Sequence, residues 1–132
     1  MAPLMELRLV LTVDDFEQAV ALYRDALGLP EHAAWEAEDE GGRIAILDAG
    51  RATLELVNEA QAAAIDRIEV GHRVAGPVRI AFEVDDSEAV AARLVAAGAR
   101  LVAEPATTPW NDRNVRVEAP HGMQLTLFSP VG

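Results

Sequence analysis

Leu9, Leu11 and Val13 recur every second residue up to the pair Asp14-Asp15, and beyond that pair Phe16, Val20, Tyr23 and Leu27 recur every third or fourth. A period of two puts alternate side chains on opposite faces of a strand, and a period near 3.6 lines up one face of a helix, so the pattern predicts a strand that runs into a helix. The run Leu9-Val10-Leu11-Thr12-Val13-Asp14-Asp15 returns about 71 residues later as Ile80-Ala81-Phe82-Glu83-Val84-Asp85-Asp86. Val90, Leu94 and Ala97 form the second helical stripe. Asp14 or Asp15 in the first copy, and Asp86 or Ser87 in the second, can cap the helix because a side-chain oxygen accepts from the orphan amides of the first turn. Gly28 and Gly98 end the two helices, each about 12 residues long.

Strand-like segments follow each helix. In the first half they run from His32 to Ala37, Arg43 to Asp48 and Ala52 to Val57, separated by the turn signals Asp39-Glu40-Gly41-Gly42 and Ala49-Gly50. In the second half they run from Arg100 to Glu104, Asn114 to Glu118 and Gln124 to Phe128, with a long loop from Pro105 to Asp112 and a tight turn at Ala119-Pro120-His121-Gly122. Each half thus reads strand, helix, three strands: one module over about 5–58, a linker over 59–77 and a second module over about 78–129, within one domain of 1–132. The linker core, Glu59 to Arg67, is alanine-rich and predicted helical, and Ile65, Ile68 and Val70 require that it pack on something; Gly76-Pro77 ends it.

Composition narrows the partners. In 132 residues, 11 Lys and Arg against 22 Asp and Glu leave a formal charge of −11, with 51% apolar residues. The apolar content is enough for one core and excludes disorder, while the acidic balance disfavours nucleic acid and anionic membrane surfaces. Without cysteine there is no disulfide, thiol nucleophile or thiolate metal site. The stretch from Met1 to Val13 lacks the basic start and long apolar centre of a signal peptide, and no apolar run nears the roughly 18 residues of a membrane span, which places the expected location in the cytoplasm.

The repeated module, the Val-Asp-Asp junctions, the stretch Tyr23-Arg24-Asp25-Ala26-Leu27-Gly28-Leu29 and the turn Pro120-His121-Gly122 together resemble the vicinal oxygen chelate superfamily, which includes glyoxalase I, extradiol dioxygenases and the bleomycin resistance proteins. The resemblance implies an α+β fold: two tandem βαβββ modules forming a curled mixed sheet, an open cup with helices outside, commonly paired into a homodimer that completes the pocket. In metal-bearing members four side chains hold a divalent ion, from the first and last strand of each module. The positions implied here are Arg8, Glu55, Arg79 and Thr126. A guanidinium stays protonated and offers no lone pair, so Arg8 and Arg79 cannot ligate. Glu55 alone cannot fix a transition metal, and Thr126 is a weak neutral ligand. No metal and no cofactor are therefore expected. His32, His72 and His121 show no ligand-like spacing.

Counting in twos from these four positions gives the cup face. Arg8 brings Val10 and Thr12, Glu55 brings Thr53 and Val57, Arg79 brings Ala81 and Glu83, and Thr126 brings Gln124 and Phe128. The opposite sets, Leu9, Leu11 and Val13, Leu54 and Leu56, Ile80, Phe82 and Val84, Leu125 and Leu127, are all apolar and face the helices. Arg8, Glu55 and Arg79 have two compatible readings: a cluster that neutralises itself, or one arginine pairing with Glu55 while the other offers its donor fork to a ligand. Phe16, Tyr23 and Phe82 belong to the helix-side core. Trp110 in its polar loop, and Trp35 in the equivalent region of the first module, are either flat platforms for a planar ligand or cover for the sheet or a dimer mate. The acidic run Glu36 to Glu40 is either a solvated hairpin tip or an attractor of cationic ligands.

These expectations converge on a metal-free binding protein similar to the bleomycin resistance proteins, one that sequesters an antibiotic-like or aromatic small molecule without making or breaking a bond. Its expected ligand-binding residues are Arg8, Thr12, Trp35, Glu55, Arg79, Trp110, Gln124, Thr126 and Phe128. Two rivals stay open: a glyoxalase-like or dioxygenase-like enzyme whose metal ligands lie elsewhere, and a metal-free enzyme with Glu55 as general base and an arginine stabilising an enolate.

Overall fold

In a computed structural model, which describes residues 4–37, 41–120 and 122–132, the alternating segments pair into one open sheet. The strands are β1 (Glu6–Thr12), β2 (Glu31–Glu36), β3 (Arg43–Ala49), β4 (Ala52–Val57), β5 (Val78–Glu83), β6 (Arg100–Leu101), β7 (Ala106–Thr107), β8 (Asp112–Glu118) and β9 (Gln124–Pro130). Their order is β2-β3-β4-β1-β5-β9-β8-β6, with β7 also on β8. The two repeated strands lie side by side and antiparallel, with Arg8 opposite Ala81 and Val10 opposite Arg79. Each then pairs in parallel with the last strand of its own half, β1 with β4 and β5 with β9. All four positions named by the resemblance therefore come to the middle of the sheet. The acidic residues Glu38 to Glu40 and His121 lie outside the described residues.

The outer face is closed by the two expected helices. α1 (Phe16–Val20) starts at Asp15, whose carboxylate accepts from the Gln18 amide at 3.0 Å. α3 (Ser87–Ala96) starts at Asp86, which accepts from Ala89 in the same way. Phe16, Ala19 and Val20 pack on Ala45, Leu47, Leu54 and Leu56, with Leu9, Leu11 and Val13 beside them. Ala91 packs on Val84, Val115, Val117 and Leu127. Replacing Asp86 with alanine removes the N-cap side chain of α3, and denaturant unfolding should show a loss of about 1 kcal/mol.

Three expectations change. Leu27, read as part of the first helix's buried stripe, is 66% exposed. The chain after Val20 widens into a π-helical segment, Ala21–Ala26, in which the Leu27 amide bonds to the Leu22 carbonyl. The five-residue step turns Leu27 away from the sheet, and Leu29, just past Gly28, packs in its place. The strand expected from Arg100 to Glu104 pairs only at Arg100 and Leu101, and Ala106–Thr107 re-forms pairing beyond Pro105, which has no N–H to contribute. The long loop from Pro105 to Asp112 is thereby shortened to a hairpin: Asn111 N–H bonds to the Thr108 carbonyl, Pro109 sits where a type I turn favours it, and Asn111 follows in the left-handed region at φ 66°.

The linker helix, α2 (Glu59–Glu69), does not join the other two outside. Capped by Asn58, it lies across the inner face, where Ala62 and Ile65 pack on Val10, Ile44, Ile46 and Val57. No helix among the described residues is long and apolar enough to cross a membrane.

Candidate functional site

Strand alternation sends Arg8, Glu55, Arg79, Thr126 and Phe128 to the inner face, where they line a cavity of about 230 Å³. Arg8 is held between two carboxylates there. Its Nε and Nη2 donate to one oxygen of Glu6 at 2.9 and 2.8 Å, its Nη1 donates to Glu55 at 3.2 Å, and its guanidinium lies 5.4 Å from the centre of the Phe128 ring. Glu55 is 5% exposed. Burial pushes its carboxyl above the ordinary glutamate range, against the pull of Arg79 and Arg8. Arg79 is 7% exposed and donates through Nη1 to the Thr126 hydroxyl at 2.8 Å. No carboxylate among the described residues pairs with it, and burial lowers its pKa from the free-arginine value although Glu69 and Glu55 act the other way.

The other half of the polar floor was not legible in the sequence as a site. β8 alternates Asn114, Arg116 and Glu118 with Val115 and Val117, and Arg116, on the inward side, has no exposed surface. Its Nη1 bonds to Asp66 at 2.8 Å and its Nη2 to Glu69 at 2.9 Å, while Nε reaches Thr126 and Nη1 also reaches the Gln124 carbonyl. Asp66 and Glu69 stand three residues apart on α2, so one guanidinium holds the helix down at two points. The second oxygen of Asp66 accepts from the amides of Val74 and Ala75 and from Arg73. Burial would raise the Asp66 carboxyl, but those two amides and Arg116 outweigh it and hold it at about 2. Asn114 donates to the free oxygen of Glu69 at 3.0 Å, and its own carbonyl oxygen is buried without a partner. The signal in the sequence was an arginine on the inward phase of a valine-rich strand, matched by two carboxylates on the same helix face as Ile65.

Apolar walls complete the cavity. Val10, Ile44, Ile46 and Ile65 form one side, and Trp35 and Trp110, each about half exposed, stand at the mouth. The hairpin after β7 fixes Trp110 beside Asp112, whose carboxyl is raised by burial, with the Trp110 indole bond and Arg8 opposing. Of the nine residues expected at the site, Thr12 and Gln124 do not reach this cavity. Thr12 borders a separate small space under α2 with Asp66 and Arg73, and Gln124 is spent between Arg116 and Glu118.

The donor set does not fit a divalent cation. Arg8 and Arg79 bring positive charge and no lone pair to the centre, and Glu55 is already bonded to Arg8. Among the described residues no three His, Asp or Glu side chains gather as a cation cage. His32 lies at the surface, 3.5 Å from Asp48, and His72 is also exposed.

The family model of the Glyoxalase/Bleomycin resistance protein/Dioxygenase superfamily matches residues 7–127. No curated protein sequence matches at a significant level. Among solved structures, a methylmalonyl-CoA epimerase from Mycobacterium tuberculosis is 25% identical, with a TM-score of 0.64 over 98% of this chain and 88% of that one. A variant of the methylmalonyl-CoA epimerase of Streptomyces coelicolor, solved with 2-nitronate-propionyl-CoA, is 22% identical, with a TM-score of 0.67 over 98% and 100%. A hypothetical protein from Bacillus halodurans is 16% identical, with a TM-score of 0.69 over 95% and 93%.

Proposed function

Because the chain belongs to the glyoxalase, bleomycin resistance protein and dioxygenase superfamily, and because guanidinium groups hold the positions where a metal-bearing member needs lone pairs, we propose that it is a metal-independent small-molecule binding protein. The observation that carries this reading is the state of the two central arginines: Arg8 is locked between Glu6 and Glu55, and Arg79 is left with donors to offer. The apolar wall and the two half-exposed tryptophans support a ligand with a flat or compact apolar body. Binding of this kind sequesters a molecule, as an antibiotic is sequestered in resistance by binding. The acidic, cysteine-free chain suits the cytoplasm, and a second copy set against the mouth would enclose the tryptophans further. Elemental analysis of protein purified without chelator should find far less than one metal ion per chain, and tryptophan fluorescence should respond saturably to members of a panel of small aromatic compounds. A full equivalent of bound transition metal, or no response from the whole panel, would sink the reading.

A second reading has its own support. Glu55 is a buried carboxylate whose proton affinity burial raises, which makes it a stronger base than a free glutamate, and the likeness to the epimerase of Mycobacterium tuberculosis favours proton transfer at a carbon acid. Arg79 would then stabilise the enolate oxygen. Glu55→Gln separates the two. In the binding protein it should leave saturable quenching intact and keep stability at pH 7 unchanged or slightly raised, because it removes a charge that burial disfavours. In an epimerase-like enzyme it would abolish hydrogen–deuterium exchange at the carbon next to an acyl carbonyl, followed by NMR.

A further inference from the structure

Among the described residues three strand arginines face the inside of the cup, and two of them are bonded to carboxylates. Arg8 is spent on Glu6 and Glu55, and Arg116 on Asp66 and Glu69. Arg79 has five N–H donors and gives one to Thr126, with no carboxylate within 4 Å among the described residues. None of its nitrogens is both sealed from solvent and unpartnered, and its side chain borders the main cavity on one side and the small space under α2 on the other. A cation this deeply buried feels Glu69, Glu55 and Asp66 only at a distance, and burial still disfavours its charge, a cost that a directly bonded anion from outside relieves. The acidic lining groups do not supply that anion. Glu55 belongs to Arg8 and Glu69 to Arg116, while Asp112 stands at the mouth with Trp110, four residues along β8 from Arg116. The floor next to Arg79 is also left open: Ala81, two residues on, lies between Arg8 and Thr126 in the sheet and is the smallest side chain in the lining.

We propose that the ligand is a compact organic monocarboxylate that enters head first, its oxygens on the Arg79 fork over Ala81 and its apolar body against Val10, Ile44, Ile46 and Ile65, pointing back toward the two tryptophans. This rests on the binding reading and narrows it. A volume of about 230 Å³ lies below the roughly 300–1,000 Å³ of sites for drug-sized ligands. Counted at ~30 Å³ per water molecule, it displaces roughly eight waters, which suits one ring or a short branched chain with its head group and not a large antibiotic. The planar fork of arginine matches the two oxygens of a carboxylate, and each such bond is charge-assisted.

The test is a tryptophan-fluorescence titration of the full chain with benzoate, phenylacetate, benzamide, benzylammonium and a larger flat neutral aromatic, repeated on Arg79→Met and Ala81→Val. Benzoate or phenylacetate should bind at least about tenfold tighter than the neutral and cationic analogues, and Arg79→Met should erase that preference, the size expected from losing a hydrogen bond to a charged group. Ala81→Val, which adds volume on the floor and leaves Arg79 in place, should weaken the carboxylates and keep the melting temperature. Equal binding of benzamide or benzylammonium, a preference that survives Arg79→Met, or unchanged carboxylate binding in Ala81→Val would each overturn the proposal. So would a response to the larger aromatic alone, which leaves the binding reading standing; silence from all five compounds removes both.

Discussion

Replacing Arg116 with methionine should lower the free energy of unfolding by about 3–5 kcal/mol, because the substitution leaves Asp66 and Glu69 buried with their shared partner gone. Side-chain exposure is 0% for Arg116 and 2% for each carboxylate, so water cannot take over the lost bonds without lifting α2 from the sheet. For a chain of this size the melting temperature should fall by more than about 10 °C. The control is Arg113→Ala. Arg113 pairs with Glu88 at 3.1 Å at the surface, and losing such a pair costs no more than about 1 kcal/mol. A loss under about 1 kcal/mol for Arg116→Met would mean that the inner face is wet enough to solvate both carboxylates, and the rigid placement of Glu69 in the cavity would have to be given up.

Acid should undo the same network in a defined window. The Asp66 carboxyl is held at about 2 in the folded chain against an ordinary 3.8, so folding favours its ionised form. The stabilisation is complete above the unfolded value, fades as pH falls below about 4 and is gone below about 2, with a total of about 2 kcal/mol at 1.36 kcal/mol per pH unit. Glu55 works in the opposite sense. Its folded value is raised, so its contribution falls as pH rises through that value and is recovered on acidification. The difference in unfolding free energy between the wild type and Asp66→Asn isolates the first effect: it should be large at pH 6 and shrink by about 2 kcal/mol by pH 2. A difference that stays constant across that range would show that Asp66 is not the group that binds the proton.

How the site divides between sequence and structure is visible in particular residues. Arg8, Glu55, Arg79 and Thr126 were named by the family resemblance, and strand period then gave the neighbours on their face, because an alternation of two leaves a side chain only two sides to choose from. The caps at Asp15 and Asp86 were equally local, since a carboxylate three residues ahead of an unpaired amide needs nothing distant. Leu27 was misplaced because a π-helical turn changes the period inside a segment that still looks helical. Trp110 was identifiable as unusual, but its hairpin depends on Thr108, Asn111 and the pairing of Ala106–Thr107 with β8.

By itself, then, the sequence determined the two repeated units and the division of the sheet into an apolar outer and a mixed inner face, which follow from local period, while the resemblance named the positions where two guanidinium groups, which offer no lone pair, now stand. Only the tertiary structure decided which charges cancel. Arg116 meets Asp66 and Glu69 across 50 and 47 residues, and it does so because α2 buries Ala62 and Ile65 on the inner face. That pairing leaves Arg79 bonded to Thr126 and, among the described residues, to no carboxylate. Coulombic pairing depends on distance in space, and no periodicity along the chain encodes which buried carboxylate will arrive within 3 Å of which arginine.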